Sequence, residues 1–181
     1  MNIQNFLNNY ENRQSFTPNP KTWTVENENL EYLFSNFGGL SIDFGAFRIH
    51  TYESAKKWTD IIVESFPAHK NKITAYGFDW MGRQFAIDND DVVHMFDGST
   101  GEEFEMEQTL EGFFNEELVD YGVETLDIDN YKFWNTGKIS LKHNEIVAFK
   151  IPLALGGEDS MENYHIIDAE VDWEINKQLL N

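Results

Sequence analysis

The densest group of side chains that could do chemistry is an acidic turn made of Asp88, Asn89, Asp90 and Asp91. Oxygen ligands of this kind bind Ca²⁺ when they alternate along a loop, with a glycine at the sixth position and a glutamate at the twelfth. Counted from Asp88, the sixth position is Val93, so the calcium pattern fails. We therefore predict a polar turn between two strands.

Histidine, serine and glycine motifs point to no known class of enzyme. The five histidines are scattered along the chain, and no two have the spacing of a zinc site: His50, His69, His94, His143 and His165. The GxSxG elbow, the Walker loop and the GxGxxG fingerprint are also missing. We predict no catalytic residue, no metal site and no cofactor. A hydrolase that uses two of the 32 acidic side chains stays open as an alternative.

A second acidic candidate is the alternating segment Glu103-Phe104-Glu105-Met106-Glu107. Strict alternation is typical of a strand with one buried face, so we expect Phe104 and Met106 in the core and the three glutamates in solvent. Such a row is either a plain solvated face or a surface on which Lys and Arg side chains of a partner dock. The candidate partner-binding residues are Asp88, Asp90, Asp91, Glu103, Glu105 and Glu107.

Charge and composition exclude several classes of function. The 181 residues include 13 Lys+Arg and 32 Asp+Glu, for a net charge of −19 at pH 7. This field repels phosphate backbones, so we expect no direct binding of nucleic acid; it favours a basic partner, or serves solubility alone. The absence of cysteine excludes disulfides and thiolate chemistry. No signal peptide or span of ~18 apolar residues is apparent, which predicts a cytoplasmic protein without membrane binding; the oligomeric state stays open.

Apolar residues at helical spacing predict helices on both sides of a central group of strands. The predicted helices cover residues 3–10, 30–37, 52–66, 110–118, 128–134 and 168–179. The last of them begins with Asp168 as its N-cap and is expected to bury Val171, Ile175 and Leu179, which recur every fourth residue.

Between the helices the apolar period changes to two, which predicts strands. Four strands at 73–78, 84–88, 92–96 and 103–107 are joined by short turns, so we expect an antiparallel meander. Further strands are predicted at 46–50, 145–151 and 164–167. The predicted architecture is one α+β domain over residues 1–181, in which a largely antiparallel central sheet, joined by the last two strands, is flanked by helices from both termini. Residues 1–25 would hold the first helix and an extended connector at 15–25.

The few basic residues are expected to be used inside the fold. Arg83 lies in the segment FDWMGRQFAID, where it could stack on Trp80 and pair with Asp79 or Asp88. With only 13 Lys+Arg in the chain, we predict that Arg48 is paired within the fold as well.

Four stretches of the chain together resemble one family of bacterial domains. They are FGGLSIDFGAFRIHT at 37–51, FDWMGRQFAID at 78–88, FDGSTGEEFEM with TLEGFFNEEL at 96–118, and PLALGGEDSMENYHIIDAEVDWEI at 152–175. In this order they resemble the GAD-like domain of unknown function that forms the C-terminal part of type VI secretion DNase-immunity proteins. The likeness spans residues 28–180. A weaker resemblance, carried by the helix that ends in Gly-Gly and by the mixed sheet, is to SMI1/KNR4-like (SUKH) immunity proteins.

The resemblance implies a non-enzymatic immunity protein that binds a bacterial toxin in the cytoplasm. It carries over no catalytic or binding residue, because the toxin-binding face varies within such groups. Together with the acidic charge, it favours a toxin with a basic surface, such as a nuclease, as the partner. The alternative is a module that binds a small ligand or a peptide in an aromatic pocket near Trp80 and Trp134.

Overall fold

The computed structural model describes residues 1–10, 12–16 and 18–180, so Glu11, Thr17 of the predicted connector, and Asn181 lie outside the described residues. The α-helices in these ranges are α1 (Gln4–Asn9), α2 (Glu28–Phe37), α3 (Tyr52–Ser65), α4 (Leu110–Gly112), α5 (Leu118–Asp120), α6 (Gly122–Thr125), α7 (Ile128–Trp134) and α8 (Ala169–Leu180). The strands are β1 (Arg13–Ser15), β2 (Leu40–Ile42), β3 (Phe47–Ile49), β4 (Ile73–Asp79), β5 (Gln84–Asp88), β6 (Val92–Asp97), β7 (Glu102–Thr109), β8 (Glu145–Phe149) and β9 (Tyr164–Asp168). None of the helices in the described part of the chain is long and apolar enough to cross a membrane.

Strands β1 to β7 form one sheet in chain order, and every neighbouring pair is antiparallel. The predicted α+β class and the meander of β4 to β7 are therefore confirmed, with short turns that return each strand beside the one before it. The sheet also begins earlier in the chain than predicted. Its first three strands pair before the meander starts, Arg13 with Ile42 and Ser41 with Arg48.

The two strands near the C-terminus form a separate sheet, whereas we expected them to join the central one. β8 pairs with β9 from Glu145 opposite Asp168 to Phe149 opposite Tyr164. This ribbon meets the central sheet at the turn between β4 and β5, where the Val147 N–H donates to the Trp80 carbonyl at 2.8 Å. The turn contains Gly82 at φ +86°, a backbone conformation that favours glycine, and a Cβ there would also lie 2.7 Å from Ile146 Cδ1, which would have to shift.

Apolar layers cover both faces of the central sheet. On one face Phe85 of β5 packs on Phe113 with 5.2 Å between ring centroids. Phe113 begins a π-helical turn, Phe113–Glu117, between α4 and α5. On the other face Phe96 of β6 packs on Phe66, just after α3, at 5.0 Å. Helices from both sides of the strand group therefore enclose the sheet, as the sequence predicts.

A fully buried arginine joins the central sheet to the segment that leads into β8. Arg48 of β3 is 0% exposed, and its Nη1 donates to the carbonyls of Lys142, at 2.9 Å, and Glu145. Its Nη2 donates to the Asp79 carbonyl at 3.0 Å, and the guanidinium lies 4.2 Å from the Phe78 ring centroid. The prediction that Arg48 is paired inside the fold is confirmed, with carbonyl oxygens as its partners.

Arg83 forms the predicted ion pair with Asp79. Its Nε lies 2.5 Å from Asp79 Oδ2, and its Nη2 donates to the Thr125 carbonyl at 3.0 Å. Asp79 is 0% exposed, so its charge is stabilised by this pair and by hydrogen bonds from the backbone N–H groups of Met81 and Arg83. The ion pair closes the turn between β4 and β5 and holds it against α6.

The terminal helix α8 packs through a different face from the one predicted. Val171 and Ile175 are 51% and 41% exposed, whereas Trp173 is buried. The indole packs on Trp58 of α3 with 5.5 Å between ring centroids, and its Nε1 donates to Ser65 Oγ at 3.1 Å. A tryptophan with an aromatic partner buries more apolar area than an aliphatic side chain, so it decides the orientation of the helix.

Alanine substitution distinguishes the two faces of α8. We expect Trp173→Ala to lower the free energy of unfolding by about 3–5 kcal/mol, because it removes a buried ring and leaves a cavity. Val171→Ala should change it by less than about 0.5 kcal/mol, because Val171 is exposed. Urea denaturation followed by tryptophan-independent far-UV circular dichroism measures both. A larger loss for Val171→Ala than for Trp173→Ala would contradict the observed packing.

Candidate functional site at the acidic sheet edge

Strand β7 is the last strand of the central sheet and forms one of its edges. Its sequence EEFEMEQT contains four glutamates and neither lysine nor arginine. An edge strand presents unpaired backbone N–H and C=O groups, and charges along it oppose pairing with a second strand. The same carboxylates form an acidic border that basic side chains of a partner can reach.

The pairing of β6 with β7 decides which way the glutamates point. Glu103 lies opposite Phe96, and Glu105 lies opposite His94. Directly paired residues share a face of the sheet, so Glu103 and Glu105 lie on the face of Phe96, and Phe104 between them points to the other face. The predicted alternation is therefore confirmed from Glu103 to Glu105; beyond it the register shifts at a bulge, and Glu107 has a φ of +53°.

Phe104 is not a core residue, contrary to the prediction. It is 45% exposed, while Met106 on the same strand packs partly buried against the core. A residue on an edge strand has a neighbouring strand on one side only. The alternation that buries Phe85 completely in the middle of the sheet therefore leaves Phe104 half open.

The row of glutamates is not uniform, because Glu103 contacts two histidines. Its Oε1 lies 2.7 Å from His69 Nε2 and 3.5 Å from His94 Nδ1, and its side chain is 33% exposed. Glu105 and Glu107 are exposed. With Glu102, which is also exposed, the edge therefore offers three carboxylates to solvent and holds a fourth, Glu103, against the histidines.

Asp88 organises the acidic turn, which is the polar turn that the sequence predicts. Its Oδ1 accepts hydrogen bonds from the backbone N–H groups of Asp90 and Val92, both at 2.9 Å, and its Oδ2 lies 3.2 Å from His94 Nε2. Burial raises the pKa of Asp88, but the bonds from Val92, His94 and Asp90 lower the pKa by more, so it lies below its usual value. Asp90 is exposed and Asp91 is half-buried.

The structure brings all six candidate residues to three adjacent strands and one turn. The turn that carries Asp90 and Asp91 leads into β6, whose Val92 lies opposite Thr109 at the end of β7. The turn therefore borders the same end of β7 that carries Glu107. Asp88 and Glu103 are the members that face inward: Asp88 Oδ2 lies 3.2 Å from His94 Nε2, and Glu103 Oε1 lies 3.5 Å from His94 Nδ1.

Two pairs of histidines meet in space, although their scatter along the sequence predicts no cluster. The ring centroids of His69 and His94 are 5.4 Å apart, and those of His50 and His143 are 6.3 Å apart. Sequence spacing misses both pairs, because each joins elements that are distant along the chain. The register of the β6–β7 hairpin is the one sequence signal that could have placed His94 beside the glutamates.

His50 and His143 share a serine in the interior of the fold. His50 contacts Ser54 Oγ through Nδ1 at 3.1 Å and Gln84 Oε1 through Nε2 at 3.0 Å, and His143 Nε2 lies 3.3 Å from Ser54 Oγ. Burial, helped by His143 and Arg48, lowers the pKa of His50 to about 3. Ser54 also completes the capping box of α3. We assign this pair to the fold and not to the candidate site, because three of its four ring nitrogens contact Ser54 or Gln84; only His143 Nδ1 is buried without a partner among the described residues.

Trp80, one of the two tryptophans named for the alternative of an aromatic pocket, is enclosed in the core, whereas Trp134 is half-buried. Trp80 is 0% exposed, and its Nε1 donates to the Leu126 carbonyl at 2.7 Å. Its ring centroid lies 5.1 Å from that of Tyr131 and 5.9 Å from that of Tyr164. The indole therefore has no exposed surface that a ligand could contact.

Comparison with solved structures finds a similar fold in a bacterial protein. The chain is similar to the crystal structure of Atu4351 from Agrobacterium tumefaciens. The similarity covers 97% of this chain and 88% of Atu4351, with a TM-score of 0.62 and 16% sequence identity. A likeness at this identity shows the fold alone. No protein-family model and no curated protein matches the chain.

The neutral state of His50 predicts a loss of stability in acid. The folded-state pKa of about 3 lies below the ordinary 6.5, so the unfolded chain takes up the proton first. Above pH ~6.5 His50 is neutral in both states and does not lower the free energy of unfolding. As the pH falls from there towards the folded pKa, the free energy of unfolding decreases, by about 2 kcal/mol between pH 7 and pH 5. Urea denaturation across this range measures it.

His50→Gln is the comparison variant, because its amide does not titrate. We expect this variant to be less stable at pH 7 but to lose less further stability towards pH 5 than the wild type. Parallel losses in the two proteins would show that His50 does not carry the acid sensitivity.

Proposed function

We propose that the protein is a cytoplasmic immunity protein that binds a toxin with a basic surface, such as a nuclease, and neutralises it without catalysis. The observation that carries the proposal is the acidic edge, where Glu105 and Glu107 of β7 are exposed beside Asp90 and Asp91 of the adjoining turn. The resemblance of the sequence to immunity proteins supports the proposal from a separate direction.

An acidic sheet edge suits a nuclease because the cleft that receives a nucleic acid must attract phosphates. Carboxylates held by a sheet can occupy such a cleft in place of the phosphate backbone. The net charge of −19 adds long-range attraction, which speeds the encounter of the two proteins and weakens as salt increases. We therefore expect rapid, salt-dependent association.

The six candidate residues divide into two groups by their contacts. Glu105, Glu107, Asp90 and Asp91 are available to basic side chains of the toxin. Asp88 and Glu103 make hydrogen bonds and ion pairs inside the protein, so their part is to shape the edge. This division assigns the direct contacts to the first group.

Charge reversal at β7 tests the docking surface. The probe is the inactivated product of the gene next to the one that encodes this protein, where the proposal expects the toxin to be encoded. With this probe, we expect Glu105→Lys with Glu107→Lys to slow association on the order of 10–100-fold at low salt, and to flatten its salt dependence. Stopped-flow measurements at several NaCl concentrations give both quantities. Co-expression with the active product should show loss of protection of the host cell.

The matched control is Glu124→Lys with Glu158→Lys, which changes the net charge equally at exposed positions on α6 and after β8. We expect the control to retain most of the association rate. Equal effects of the two double variants would show that net charge, and not the edge, governs binding. If the wild type neither binds nor neutralises the product of the adjacent gene, the proposal of an immunity protein is wrong in that form.

A further inference from the structure

Three potential metal ligands from separate parts of the chain converge beside the acidic edge. His69 lies in the turn Pro67–His69 after α3, His94 lies on β6, and Glu103 lies on β7. Glu103 Oε1 is 2.7 Å from His69 Nε2 and 3.5 Å from His94 Nδ1, and one ligand atom of each residue lies within 4.8 Å of the other two. Two imidazoles and a carboxylate are a ligand set typical of zinc and related divalent metals.

The orientation of His94 is a second, independent indication of a ligand. Its Nε2 lies 3.2 Å from Asp88 Oδ2, and the backbone N–H groups of Asp90 and Val92 hold this carboxylate in place. When this carboxylate accepts a hydrogen bond from Nε2–H of the neutral imidazole, the lone pair lies on Nδ1, which faces Glu103 Oε1 at 3.5 Å. This Nδ1 is buried without a hydrogen-bond partner among the described residues, and His94 is 6% exposed.

A buried nitrogen without a partner is unfavourable, and a metal ion is the ligand that an imidazole lone pair binds most strongly. The pair of Asp88 and His94 also reproduces the carboxylate–histidine–metal arrangement that orients histidine ligands in zinc sites. We propose that His69, His94 and Glu103 bind a divalent transition-metal ion of the zinc class, with Asp88 as the positioning residue.

The distances within the cluster suit tetrahedral zinc. Bonds of about 2.0–2.1 Å to a tetrahedral ion place neighbouring ligand atoms roughly 3.3 Å apart. The observed 2.7 Å and 3.5 Å lie on either side of this value, and all three ligand atoms lie within 4.8 Å of one another, so the side chains would rotate to close around an ion. Calcium and magnesium prefer oxygen ligands, which two imidazoles do not provide. Glu103 is partly exposed, so water reaches the fourth position.

A bound ion would act on the acidic edge itself. It would connect the turn after α3 with both strands of the β6–β7 hairpin, and so hold the edge strand in one register. The site lies on the inner side of Glu103, whereas Glu105 and Glu107 stay free for a partner. Metal binding and partner binding are therefore separate properties of one edge.

Zinc itself is the probe for the test, on the full chain purified without a histidine tag and treated with EDTA. We expect calorimetric titration with ZnCl2 to show one bound ion and a higher Tm in its presence. His69→Ala and Glu103→Gln should each lower the affinity by more than the ~10–100-fold that loss of a supporting residue causes. Replacement of zinc by Co²⁺ should give the visible absorption of a tetrahedral site.

Glu102→Gln is the matched control, since it removes the same charge from the exposed neighbouring residue of β7 and should bind zinc like the wild type. Asp88→Asn should keep one bound ion but weaken the affinity about 10–100-fold. Circular dichroism identifies any variant that does not fold. His69→Ala and Glu103→Gln each remove one proposed ligand, so either of them, if folded, is enough to test the site. A wild type that binds no zinc, or folded variants that bind it equally well, would overturn the proposal. Neither result depends on whether the protein binds a toxin.

Discussion

The buried guanidinium of Arg48 is the interaction on which the arrangement of the two sheets depends. A charged group with no exposure requires hydrogen-bond acceptors, and Arg48 finds them in the carbonyls of Asp79, Lys142 and Glu145. Burial lowers the pKa of Arg48 to about 10, so the side chain keeps its charge at neutral pH. Because the donors of an arginine form a rigid fork, they hold the end of β4 and the entrance to β8 in a fixed relation.

This constraint extends through the turn between β4 and β5. The Asp79 carbonyl accepts a hydrogen bond from Arg48, and the Asp79 carboxylate forms an ion pair with Arg83, so both arginines contact the same residue. The following residue, Trp80, accepts the backbone bond from Val147 of the second sheet and fills the core with its ring. The stretch DWMGRQ is therefore the junction between the two sheets.

The candidate site lies on an edge that results from the order of the strands. A meander in chain order leaves its last strand unpaired on one side, and in this protein that strand carries four glutamates. Their charges oppose pairing with another strand and at the same time attract a basic partner. Behind the exposed glutamates, four side chains contact one another and form a polar cluster: Asp88, His69, His94 and Glu103.

The sequence identified the acidic turn and three of the four glutamates of this edge, all but Glu102, and it did not identify the cluster behind them. Alternation and the short turns place Asp88 to Asp91 and the glutamates on adjacent strands, because these are local properties. His69 could not be assigned from sequence, since its contact with Glu103 depends on how the turn after α3 lies against the sheet. The exposure of Phe104 was also missed, because alternation describes the two faces of a strand and not its place in the sheet.

What the sequence determined by itself was the α+β class, the strands of the meander and the helices on either side. These follow from periodicity, turn residues and caps, which act over a few residues. The tertiary structure alone decided which face of α8 is buried, that β8 and β9 pair with each other, and that His69 and His94 meet at Glu103. Each of these depends on contacts between segments that are distant in the chain. Trp173 packs on the ring of Trp58, and Arg48 donates to the carbonyls of Lys142 and Glu145 at the start of β8. Periodicity along one segment carries no information about the partner that prevails.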